Sequence, residues 1–138
     1  MIMKQERSTV QFENYNVTKM HYSVCFDRKA EKGDIFLDPV FNVETKKFGD
    51  KTYLLSVNVK VGMTEDSRLP FVAEVELVGR FNVENVEDPE KTIRKNGLAI
   101  LYPYVRATLS ALTLAANRAP VVLPTINIVK MLENQNNN

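Results

Sequence analysis

A chain of 138 residues has room for one core, because a core of this size removes roughly two-thirds of the unfolded surface from water and two smaller ones would not. Its 18 basic and 17 acidic side chains nearly cancel, so no long-range field is available to hold a phosphate backbone, and nucleic acid is not an expected partner. One cysteine, Cys25, excludes an intrachain disulfide and fits a reducing, cytoplasmic setting.

The amino-terminal Met-Ile-Met-Lys-Gln-Glu-Arg lacks the apolar run of a signal peptide. The apolar stretches after it read as shorter than the ~20 residues that span a bilayer, so no membrane insertion is expected. From Thr9 to Asp27 the chain reads as strand, but its apolar phase moves from Val10 and Phe12 to Tyr15 and Val17, then back to Met20, Tyr22, Val24 and Phe26. Each change of phase predicts a bulge or bend, since a slip of one residue turns side chains to the opposite face. A charged loop from Arg28 to Asp34 precedes an apolar cluster at Ile35, Phe36, Leu37, Val40 and Phe41. A second strand is expected from Val40 to Phe48, with Pro39 at its start, where a missing ladder donor does little harm. Gly49-Asp50 marks the turn that follows.

Two further strands have strict alternation. Between Tyr53 and Met63 the odd positions are Tyr, Leu, Val, Val, Val, Met, with Ser56, Asn58 and Lys60 between them. Between Phe71 and Val83 the apolar face holds Phe71, Ala73, Val75, Leu77, Phe81 and Val83, and the other holds Glu74, Glu76, Arg80 and Asn82. The short polar connection between the two strands makes them an antiparallel hairpin.

After Glu84 the pattern becomes helical. Asp88-Pro89-Glu90 supplies an N-cap, a proline for the first helical position and an acid near the positive helix end; Gly97 reads as an interruption. From Leu98 to Asn117 Arg106 is the one charge, and two apolar stripes emerge: Leu98, Leu101, Val105, Leu109, Leu112 and Ala116 on one side, Ile100, Tyr104, Ala107, Ala111 and Leu114 on another. One stripe can cover the sheet, and the other wants a second partner. Pro103 either begins the regular part of this helix or kinks it. The break at Asn117-Arg118-Ala119-Pro120 leads to a last short helix near Thr125 to Glu133, and residues 134–138 form a polar tail expected to be disordered. The fold class that results is α+β: a four-stranded antiparallel sheet with a long helix and a short C-terminal helix on one face, in a single domain.

Catalytic groupings are sparse. His21 and Cys25 stand four positions apart on one strand, ~13 Å by rise, too far for a dyad. Both read as ordinary strand residues, Cys25 as a small packed one. Glu74 and Glu76 share a strand face but read as a solvated one, with a paired-carboxylate enzyme as a remote alternative. One His and one Cys cannot close a zinc shell, and no phosphate-cradling glycine motif exists, so neither a cofactor nor an enzyme activity is expected.

The run Gly-Leu-Ala-Ile-Leu-Tyr-Pro-Tyr-Val-Arg from Gly97 to Arg106 resembles the Leu-aromatic-Pro-Tyr-x-Arg motif that opens the long helix of the SecB family of protein-export chaperones. The order around it agrees: four strands, Phe-x-x-Glu-Val at Phe71 to Val75, a glycine at Gly79, then the helix and a proline-containing linker. The resemblance implies a homodimer or homotetramer with long helices sandwiched between sheets, which assigns Leu101, Tyr104, Val105, Leu109 and Leu112 to the interface. It also implies an ATP-independent holdase for unfolded or nascent polypeptide, with a groove lined here by Ile35, Phe36, Leu37, Val40, Phe41, Ile126, Val129 and Leu132. Family members contact the SecA motor through an acidic sheet face. Val72 and Glu74 match that site, but the first-strand acids of the family fall on Met20 and Val24, and a neutral Asn-rich end replaces an acidic tail. A module with the same fold dedicated to one partner, as a toxin–antitoxin-linked chaperone is, is the alternative.

Overall fold

Alternation in the sequence becomes a four-stranded antiparallel sheet, seen in a computed structural model that describes residues 8–26, 37–62, 69–124, 130 and 132. Its strands are β1 (Thr9–Val24), β2 (Val40–Lys47), β3 (Thr52–Val61) and β4 (Phe71–Glu84), in the order β1-β4-β3-β2. The two strands with unbroken period two are the central ones. Leu55, Val57, Val59, Val61, Ala73, Val75, Leu77 and Phe81 lie on one sheet face and have no exposure.

Strand β1 follows its irregular phase. Register shifts fall between Phe12 and Asn14 and between Val17 and Lys19, so Glu13 and Thr18 are the extra residues. With those two residues bulged, Val10, Phe12, Tyr15, Val17, Met20, Tyr22 and Val24 all pair with odd-numbered residues of β4 and so share its apolar face. Cys25 lies one residue past the strand end and is exposed, not packed; its amide donates to the Pro70 carbonyl at 2.7 Å.

One continuous helical run covers that face. It comprises α1 (Pro89–Thr92), a π-helical turn (Ile93–Gly97) and α2 (Leu98–Ala115). Asp88 caps it as expected, its carboxylate accepting from the Lys91 amide at 3.2 Å. Gly97 does not interrupt the helix: its backbone is helical, at φ −65° and ψ −40°. Its role is closeness, since a Cβ there would lie 2.9 Å from Leu55 Cδ2 and 3.1 Å from Phe81 Cζ. Gly79 does the same from the sheet side, where a Cβ would meet Leu101 Cδ1 at 2.8 Å. Pro103 sits inside α2 on its exposed side rather than at its start.

Asn117, with φ 64°, ends the helix. The Arg118 amide reaches the Thr113 carbonyl and the Asn117 amide that of Leu114, both at 3.0 Å, closing a Schellman motif. The run Pro89–Ala115 spans 27 residues and, contrary to the expectation from short apolar stretches, is long and apolar enough by length and composition alone to cross a membrane. Its Leu98, Leu101, Val105 and Leu109 are fully buried in the core. Of the last segment, Lys130 and Leu132 have helical backbone, and Leu132 packs on the core.

Candidate functional site

Helix α2 presents three faces, one more than its sequence pattern indicates. The first is the sheet-facing stripe. The second is a row of polar groups, Tyr102, Arg106, Ser110 and Thr113, spaced four, four and three residues apart and therefore stacked along one side. Segment 121–124 runs back along this row. Ser110 donates to the Val121 carbonyl at 2.7 Å, Arg106 Nε to that of Leu123 at 2.9 Å, and the Tyr102 hydroxyl to that of Pro124. The Val121 amide in turn donates to Thr113 Oγ1 at 2.9 Å. Burial pushes the Tyr102 phenol up, against a smaller downward pull from Arg106, so it stays a donor at neutral pH.

Beside this row lie three of the residues assigned to a groove. Phe41 and Tyr102 meet at 6.2 Å between ring centroids, and Leu37, Phe41 and Leu132 are half-buried side chains packed on the core. Val40 does not join them. It pairs with Lys60 and so faces the opposite side of the sheet, because successive strand residues alternate. Ile35, Phe36, Ile126 and Val129 lie outside the described residues, as do the charged loop and the polar tail.

The third face of α2 is open. Tyr104 and Leu114 are 40% and 60% exposed, with Ala107 and Ala111 exposed between them. Strand β1 extends this surface: the tilted rings of Tyr15 and Tyr104 meet at 4.6 Å, Tyr22 accepts from Arg118 at 2.9 Å, and Val17 and Met20 between them are 43% and 51% exposed. Of the five residues assigned to an interface, Tyr104 is the one on this face. Leu101, Val105 and Leu109 are fully buried within the chain, and Leu112 is half-buried against the core, because the larger aliphatic residues turn to the sheet.

On the sheet face opposite the helix Glu74 is 7% exposed. Its carboxylate meets Lys19 at 3.0 Å, Lys60 at 3.7 Å and the Asn58 amide at 2.9 Å. Burial raises its pKa, but the Asn58 and Lys19 hydrogen bonds and the two lysine charges outweigh it, holding the group below its ordinary value. Val72 is half-buried on the same face, and Glu76 accepts from Thr18 at 2.7 Å. Met20 and Val24 pair with Val75 and Phe71, so they point to the helix side; the β1 residues opposite this face of β4 are Lys19 and His21. Both glutamates are thus held in structural contacts, and His21 Nε2 lies 2.9 Å from Ser23 Oγ. Among the described residues no cluster of His, Cys, Asp and Glu could hold a metal ion.

A family model described as SecB, preprotein translocase subunit SecB, matches residues 9–138. The chain belongs to the SecB family. A protein-export protein SecB of Magnetococcus marinus is 33% identical over 136 residues, covering 94% of this chain and 80% of its own. An uncharacterized protein of Methanocaldococcus jannaschii is 29% identical over 132 residues, covering 93% and 85%. Among solved structures, a SecB-like chaperone of Mycobacterium tuberculosis in complex with a ChAD peptide from an antitoxin has a TM-score of 0.67 at 17% identity, covering 86% of this chain and 90% of that one. The sheet and the long helix are therefore the SecB-like fold. Sequence reasoning missed the Tyr102–Thr113 row in this SecB-family helix, although its signal was present as polar residues at helical spacing in an apolar run.

Proposed function

We propose that this chain is an ATP-independent, cytoplasmic holdase-type chaperone that binds unfolded or nascent polypeptide in an apolar groove. The observation that carries the reading is Phe41 set beside Tyr102, with Leu37 and Leu132 likewise left half-covered against the core. Extended segments with apolar residues gain about 25 cal/mol per Å² of apolar surface removed from water there, whatever their sequence. The working unit is a homo-oligomer, a homodimer or homotetramer, joined through the open face of α2 and its β1 flank. Ile35, Phe36, Ile126 and Val129 complete the groove in this reading. The test is aggregation of an unfolded model protein. Suppression by the purified chain is expected, and no effect at molar excess rejects the proposal.

A dedicated interaction module is the second reading. It is favoured by Glu74, which is bound to Lys19 and Lys60 and so offers the SecA motor no free acidic face, and by the solved chaperone seated on an antitoxin peptide. Pull-down separates the two readings, since one dominant partner favours the module and many unrelated ones favour the holdase.

A further inference from the structure

Segment 121–124 is held on α2 by hydrogen bonds to its backbone as well as by its buried apolar side chains. Ser110, Arg106 and Tyr102 each donate to a carbonyl, and Thr113 accepts from an amide. Every polypeptide offers carbonyls at each residue and amides at all but proline. The spacing also suits an extended chain in general: from Tyr102 to Ser110 the helix rises about 12 Å, and three extended residues span about 10 Å. Between these contacts Val121 and Leu123 turn inward, 7% and 0% exposed, while Val122 turns out at 60%. Backbone hydrogen bonds combined with pockets for alternate side chains are also what a sheet edge uses to recognise an extended peptide.

We infer that this face of α2 is an extended-polypeptide site occupied in cis, and that an unfolded client with aliphatic residues at alternate positions displaces segment 121–124 from it. The inference rests on the holdase reading. Because the resident segment is covalently attached, it competes at high effective concentration. A client therefore takes the site only after another of its apolar stretches is held near Leu37 and Phe41, which gives long unfolded chains an advantage over short ones. Folded proteins are excluded because their backbone groups are already paired.

Hydrogen exchange on the full chain tests this, with reduced, carboxymethylated α-lactalbumin as a permanently unfolded probe. At saturating probe, exchange of the Val121 amide is expected to rise at least fivefold while amides of β3 and β4 stay protected. Unchanged or slower exchange with the probe bound overturns the inference and leaves the holdase reading standing. Failure of the probe to bind removes the holdase reading instead, and a second arm then decides on the site. Leu123→Ser weakens the resident segment, and a labelled peptide with the sequence of residues 119–126 is added in trans and followed by anisotropy. The variant is expected to bind at least tenfold more tightly than the unsubstituted chain, and Arg106→Ala in the same background to abolish the gain. Equal binding by all three overturns the inference. Leu123→Ala replaces the serine variant should that one fail to fold.

Discussion

The sheet-facing and outward sides of α2 are both apolar, yet they differ in what covers them. Leu98, Leu101, Val105 and Leu109 disappear under the sheet, while Tyr104, Ala107, Ala111 and Leu114 stay open. Periodicity finds both stripes and cannot tell a core from an interface, because each is a line of apolar residues at helical spacing. Residue size and the paired glycines distinguish them. Branched side chains and the Gly79 and Gly97 clearances mark the side where α2 is pressed onto β-structure, and two alanines stand between Tyr104 and Leu114 on the other.

Substitutions sharpen this contrast. Leu101→Ala is expected to cost about 3 kcal/mol in urea unfolding, since it empties a fully enclosed position. Thr113→Val leaves the buried Val121 amide without its acceptor, and a loss of about 1–2 kcal/mol is expected by the same measurement. Glu74→Gln on the sheet face opposite the helix is expected to cost about 0.5–1 kcal/mol near neutral pH, because it weakens contacts to two lysines that are themselves well exposed. The sign follows from the depressed folded-state pKa. Glu74 contributes fully above the unfolded carboxylate pKa, and the contribution fades as pH falls through the folded value, so variant and unsubstituted chain converge in acid. Leu114→Asp has the smallest effect on single-chain stability, under about 0.5 kcal/mol for an exposed site. Its readout is light scattering, where the proposed oligomer is expected to fall to a smaller species; an unchanged mass breaks the assignment of this face.

Much of the fold was legible because its signals are local. The two phase changes in residues 9–24 foretold the Glu13 and Thr18 bulges, and the alternation at 53–61 and 71–83 foretold the central strands. Asp88-Pro89 foretold the helix start. The errors arose where a residue's meaning depended on distant neighbours. Gly97 reads as a helix breaker until Leu55 and Phe81 are seen above it. Val40 belongs with Phe41 in a hydropathy sum but not on a pleated strand. The resemblance assigns Leu101, Val105 and Leu109 to an interface, and an all-round apolar helix does not say which side its own sheet takes. The polar row on α2 was overlooked since its partners are backbone groups, which carry no letter in a sequence.

The bulges in β1 have a consequence for how this chain meets others. A strand of 16 residues at the rim of a sheet is a long template for indiscriminate chain addition. Glu13 and Thr18 cut that template into short stretches and twist each relative to the next. A straight foreign strand finds no continuous ladder there, so the rim resists growth into fibres while the neighbouring apolar surface remains available.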